Sequence, residues 1–200
     1  MISPLRLVQL VGGCAVLGVG VALLLNADLG SDGFSTLVNG ITLSTGMPFW
    51  LANLLVSTCF LLLAAVRRTY PGLGTVVQVL VVGGTVSVLL DVMATPQDRI
   101  GQAAMLALAM PVLALGIATY LGSHSGAGPA EAMALAWDPP LPFRWSYSAV
   151  QLGGAAGGWL LGATVGPGTV LVVVLLGPLV DVTSRLLRLD VHQKTPAPTG

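Results

Sequence analysis

Two carboxylates sit where a helix would begin inside an apolar stretch. Asp32 lies in "GSDGFST" (30–36) and Glu131 in "GAGPAEA" (126–132). In the second phrase Gly128 reads as an N-cap, Pro129 as the first helical residue and Glu131 as the third, the position a capping box uses. Asp32 takes the aligned cap position in the first phrase. Gly30, Gly33, Gly126, Gly128 and Pro129 together mark two half-helix starts. A helix that starts within a membrane exposes backbone N–H groups and its positive dipole end, which discontinuous transporter helices turn toward anionic groups. Here each start brings its own carboxylate, so an incoming anion would compete with a charge already present. A cation, a proton or the ammonium of a small zwitterion would be welcomed. Plain capping is the competing reading of both acids. Against it, a charge at bilayer centre costs about 2.5–3.5 kcal/mol on insertion scales, and a serine would cap more cheaply.

Other polar residues divide by place. Asn26 and Asp28 stand at the mouth of the first interruption, and His124 aligns with Asp28 at the second. All three join the candidate substrate- or proton-binding set, His124 as a relay near neutral pH or as a solvated loop histidine. Asn53, Gln78 and Gln151 are uncharged groups within apolar runs, suited to interhelical hydrogen bonds or to lining a path. Trp50, Trp145, Tyr70 and Tyr147 fall near span ends and are expected in the interfacial aromatic belt. Gly153, Gly154, Gly157, Gly158 and Gly162, in "QLGGAAGGWLLG" (151–162), form a bare stripe for close helix packing. Its partner would be a helix of the same chain or of a second copy, a homodimer. Cys14 and Cys59 lie in apolar runs with no metal-ligand spacing. No catalytic constellation, metal cluster or cofactor motif is found, nor a Walker motif, so neither an enzyme nor direct use of ATP is expected.

The elements that must hold these residues follow from composition. Of 200 residues, 54% are hydrophobic and 8% charged, with a mean hydropathy of +0.89. A soluble domain carries about a quarter charged residues. This chain's solvent is therefore the lipid bilayer, and lipid demands helices with internally satisfied backbone. Net charge is zero and there is no basic patch, which excludes nucleic acid as a partner. Six stretches, 5–25, 48–66, 74–93, 101–121, 145–163 and 168–187, are long enough to cross about 30 Å of hydrocarbon. The first continues to Leu25 without a cleavage pattern, so it is read as a retained span. Two shorter pieces, 32–44 and 128–138, have the length of re-entrant segments. The tail 189–200 is expected to be disordered and cytoplasmic.

The chain repeats itself. "LGVGVALLLNADLG" (17–30) aligns with "LALGIATYLGSHSG" (113–126), "MPFW" (47–50) with "LPFR" (141–144), and "PGLGT" (71–75) with "VGPGT" (165–169). Residues 1–96 and 97–188 thus read as two repeats of one membrane domain, each long span, short segment, long span, long span. These phrases resemble the YczE/YyaS/YitT group of bacterial integral membrane proteins, in its YczE-like branch, which carries two copies of G-x-G-P-x-[DE]-x-[LM] and two of G-[IL]-G-T. "GAGPAEAM" (126–133) keeps the first motif intact, whereas "GSDGFSTL" (30–37) lacks its proline and has moved its acid; "GLGT" (72–75) is kept and "GPGT" (166–169) carries a proline. The resemblance covers about residues 5–188 and implies a multi-pass protein of the bacterial cytoplasmic membrane, of unestablished or transport function.

Charge decides between parallel and inverted halves, because short cytoplasmic loops gather Lys and Arg. If the short segments dip in and return, with the N-terminus inside, then Arg6, Arg67, Arg68, Arg144, Arg185, Arg188 and Lys194 face the cytoplasm and Arg99 alone lies outside. If they cross, Arg67 and Arg68 move outside while Arg99 comes in. The expectation is an all-α protein of six transmembrane helices and two half-helices, in repeats of inverted topology, with both termini cytoplasmic. The function expected is a small secondary transporter of an unidentified small solute, proton- or cation-coupled. The alternative is a non-transporting membrane component: a sensor, an assembly factor or a partner subunit.

Overall fold

The computed structural model describes residues 4–137, 140–141 and 143–189. Of the tail expected at 189–200, residues 190–200 lie outside these residues. The described residues form eight helices and no strand: α1 (Pro4–Asn26), α2 (Gly33–Thr45), α3 (Phe49–Val66), α4 (Leu73–Val92), α5 (Arg99–Leu121), α6 (Pro129–Leu135), α7 (Phe143–Leu160) and α8 (Pro167–Leu186). Five of them, α1, α3, α4, α5 and α8, are long and apolar enough to cross a membrane. Six were expected. The remaining one, α7, spans 18 residues but spends them on Ser146, Tyr147, Gln151 and paired glycines, so its composition falls short.

The surface matches a lipid solvent. Val170, Val173 and Val174 on α8 are all more than half exposed, an apolar display that water would penalise. By contrast, half of the apolar window of α1 is buried, against 11% for α8. α1 therefore stands at the centre and α8 at the rim.

α1 and α5 pack face to face and run antiparallel. A Cβ placed on Gly13 would lie 2.5 Å from Tyr120 N, one on Gly116 2.5 Å from Leu17 N, and one on Gly20 2.9 Å from Leu113 N. The residue numbers rise along one helix as they fall along the other. Glycine at these points is what lets the two backbones touch without a side chain between them. Leu10, Cys14, Leu17, Val21 and Leu24 of α1 meet Leu106, Met110, Leu113 and Tyr120 of α5 in the buried core. At one end, Thr95 of the α4–α5 connection donates to Asn26 Oδ1 (3.3 Å), and at the other Gln9 Nε2 donates to the Thr119 carbonyl (3.1 Å).

The remaining contacts come in matched pairs. α4 packs on α1 and α8 on α5; α2 packs on α7 and α6 on α3. The short helices thus each rest on a long helix from the other half of the chain. α2 and α7 run parallel: Gly33 faces Gln151 and Gly154, Thr36 faces Gly158, and Gly40 faces Leu161.

Candidate functional site

Each interruption is built by the same backbone device. After α1 the chain turns through left-handed Asp28 (φ 52°) and Gly30 (φ 96°); after α5 it turns through His124 (φ 53°) and Gly126 (φ 128°). Only glycine adopts the second of these conformations without strain. The turn is then clipped by the start of a helix from the other half. Gly168 N, in the first turn of α8, donates to the Leu29 carbonyl (2.7 Å), and Gly74 N, in the first turn of α4, donates to the Ser125 carbonyl (2.8 Å). Thr75 Oγ1 adds a bond to the Ala127 carbonyl (2.7 Å) and accepts from Gly72 N (3.2 Å). A Cβ on Gly74 would lie 2.6 Å from the Ser125 carbonyl carbon, and one on Gly30 2.6 Å from Gly166 N. The two glycine-threonine phrases therefore hold the two interruptions, each across the chain.

Between the interruptions lies a cavity of about 90 Å³ to which all eight helices contribute. At about 10–15 Å³ per water-sized group, it holds several such groups. Leu17, Val21, Leu113 and Ile117 from the α1–α5 pair form an apolar wall, and Phe34, Phe49 and Val79 add to it. The polar lining is Asp32, Ser35, Asn53, Ser57, Gln78, Glu131, Tyr147 and Gln151. Two carboxylates thus meet in one pocket whose lining includes no Lys, Arg or His among the described residues. In low dielectric two such charges interact far more strongly than in water.

The start of α2 is already satisfied. Asp32 caps it, accepting from Ser35 N at 3.0 Å. Gln151 of α7 reaches across and its Oε1 accepts from Phe34 N at 3.1 Å, while its Nε2 donates to Tyr147 OH at 2.9 Å. Thr36 N donates to the Asp32 carbonyl at 2.8 Å. Ser31 Oγ and Thr36 Oγ1, 2.7 Å apart, close the turn beneath. An anion arriving here finds the N–H groups of Phe34, Ser35 and Thr36 occupied.

α6 starts differently. Gly128 is its N-cap residue, with no side-chain cap. A Cβ on Gly128 would collide with the Gln78 amide and stand 2.5 Å from Glu131 Oε2. Glu131 therefore folds back over the helix start, beside Gln78 of α4. Of the buried polar atoms in the described cavity lining, two have no hydrogen-bond partner: Gln78 Oε1 and Ser57 Oγ. Ser57 is 1% exposed. Buried polar atoms are ordinarily paired, so these two mark the place where the cavity is chemically incomplete. Asn53, by contrast, donates from Nδ2 to the Val79 carbonyl (2.9 Å).

Of the residues singled out from sequence, Glu131 and Asp32 come together in the cavity, and Gly33, Gly128 and Pro129 form the helix starts around them. Gly30 and Gly126 lie in the clipped turns. Asn26, Asp28 and His124 lie elsewhere. Asn26 is held by the Ala22 carbonyl and Thr95, Asp28 accepts from the Thr164 hydroxyl, and His124 is exposed. In the glycine stripe, Gly154 and Gly158 press on the α2 backbone at Gly33 and Thr36, and Gly157 meets Leu37, whereas Gly153 and Gly162 face nothing within 4 Å. Tyr147, expected in the interfacial belt, lines the cavity instead. Its spacing of four residues from Gln151, a helical neighbour, was the available signal.

Comparison with known proteins places the chain in a family. A model described as "Family of unknown function (DUF6198)" matches residues 4–185, and the chain belongs to that family. An uncharacterised protein of Haemophilus influenzae is 26% identical over 169 residues, covering 84% of this chain and 78% of the relative. No solved structure matches.

Proposed function

We propose that this protein is a small secondary transporter of a small solute, proton- or cation-coupled, with its site at the paired half-helices. The observation that carries the reading is the central cavity with two carboxylates and no basic residue in its described lining. An acid placed in such a pocket is costly and typically serves a pathway or coupling role. Supporting it are the cross-chain clips, which tie each interruption to the other half, and the antiparallel α1–α5 pair. We read these as inverted repeats, six spans and two re-entrant segments, in which one half rocks against the other about the fixed site. On this reading both termini lie in the cytoplasm of a bacterial cell, which the charge distribution favours, and the short motifs support a likeness to the YczE-like branch.

The test is Glu131→Gln, which keeps the shape of the side chain and removes its charge. In proteoliposomes carrying an internal pH dye, solute-dependent flux in the wild type should fall at least tenfold in Glu131→Gln, with its pH dependence lost. The melting temperature should hold or rise, since an expensive charge has gone. Unchanged flux and pH profile in the variant would reduce Glu131 to a helix-start residue and remove the coupled mechanism.

A further inference from the structure

We infer that the solute this cavity binds is a small organic monocation, a primary ammonium on a compact apolar body. The inference deepens the transporter reading and rests on it for what the site is used for. Its test is therefore made on binding, which stands or falls apart from flux.

The chemistry starts from the two cavity-lining atoms left without partners. Gln78 Oε1 is an acceptor, and the Ser57 hydroxyl, nine-tenths and more buried, accepts through its lone pairs. Beside Gln78 stands the Glu131 carboxylate, as the space at Gly128 shows. A primary ammonium carries three N–H donors and no acceptor, so three oxygens of this kind are its complement. A carboxylate in the set makes one of the bonds charge-assisted and roughly doubles its strength.

One available acid selects one ammonium. Asp32 is held at the α2 start by Ser35 N, so Glu131 is the acid placed beside the unpaired Gln78 oxygen. A carboxylate-bearing ligand would be repelled, since the cavity offers it no basic residue among the described lining and the α2 N–H groups at Phe34, Ser35 and Thr36 are taken. The remaining wall selects for an apolar body. Leu17, Val21, Phe34, Phe49 and Leu113 surround the rest of the space, and aromatic faces add attraction for a cation. A hydrated inorganic ion would leave those surfaces unmatched. A compact aliphatic ammonium fills them, within a volume of about 90 Å³.

The experiment uses the full-length protein in nanodiscs at neutral pH, with calorimetry and thermal shift as readouts. Four probes share a size range or a charge: cyclohexylammonium, cyclohexanol, cyclohexanecarboxylate and sodium ion. Cyclohexylammonium should bind saturably and raise the melting temperature, with affinity at least tenfold above the alcohol and the carboxylate. Sodium up to tenfold excess should not displace it. Glu131→Gln should weaken the ammonium at least tenfold and Ser57→Ala several-fold, while Asp91→Asn, on an exposed helix end, should match the wild type. Equal binding of the alcohol, preference for the carboxylate, displacement by sodium, or no saturable binding of the ammonium would each overturn the inference. The four probes are compared on the wild-type protein, so the outcome does not depend on any variant folding. Binding without flux in proteoliposomes would leave this inference standing and remove the transporter reading alone.

Discussion

At the scale of the residue, the site is defined by which polar atoms are satisfied and which are not. The start of α2 is closed by three partners, Asp32 to Ser35 N, the Gln151 amide to Phe34 N and the Asp32 carbonyl to Thr36 N. The start of α6 leaves Glu131 folded beside an unpartnered Gln78 oxygen. One interruption thus has its helix-start N–H groups paired, while the other stands beside an unpaired oxygen. Gln151 carries a prediction of its own, because it is the brace between α7 and α2. Gln151→Leu leaves Phe34 N without an acceptor, and an orphaned buried donor costs about 1–3 kcal/mol. The unfolding midpoint in detergent should fall accordingly, and an unchanged midpoint would mean that Phe34 N has another acceptor. Sequence placed both acids, the four starting glycines and Pro129 at the interruptions, because glycines beside a carboxylate have few other readings in an apolar run. It did not bring Tyr147 or Ser57 into the cavity. Tyrosine near a span end is expected at the interface on composition alone, and only tertiary packing turns this one inward.

At the scale of the element, small residues decide which helices touch. Gly154 and Gly158 of α7 sit on the α2 backbone, and a Cβ on Gly158 would fall onto the Thr36 carbonyl. Gly158→Leu cannot be accommodated by a side-chain shift. It should cost at least the ~1–3 kcal/mol of ordinary overpacking and yield protein that elutes aggregated. Gly153→Leu, on a face with nothing within 4 Å, should elute and melt like the wild type. If both variants behave alike, α7 does not rest on α2 as described. The stripe was legible in the sequence, yet its partner was not, since spacing specifies a bare face without saying what covers it. Element boundaries were legible to within a few residues: 32–44 is α2 at Gly33–Thr45, and 74–93 is α4 at Leu73–Val92. α6 is shorter than the expected 128–138, ending at Leu135. There Arg67 of the other half donates to the Ala136 carbonyl and lies over the Trp137 ring, 4.9 Å from its centroid. No local pattern announces such a cross-chain stop.

At the scale of the whole molecule, the arrangement is two sets of helices exchanging their short members around one cavity. α2 lies on α7, α6 lies on α3, and each glycine-threonine phrase clips the opposite interruption. Under the proposed transport mechanism, motion of one half would carry its short helix relative to the long helix of the other, opening the cavity first to one face and then to the opposite one. The alternative, a non-transporting sensor or assembly factor, predicts no such exposure. Ser57 reports on it directly, because it lines the cavity, is 1% exposed and lies far in sequence from either interruption. The measurement is labelling of Ser57→Cys, in a background with Cys14 and Cys59 replaced, by a small membrane-impermeant cationic thiol reagent. Ser44→Cys, on the exposed end of α2, and Arg68→Cys, after α3, mark the outer and inner faces in the same vesicles. Ser44→Cys should label only from outside, Arg68→Cys only from inside, and Ser57→Cys from both, slowed by cyclohexylammonium. Labelling of Ser57→Cys from one face alone, or from neither, would contradict a site that both sides of the membrane reach in turn.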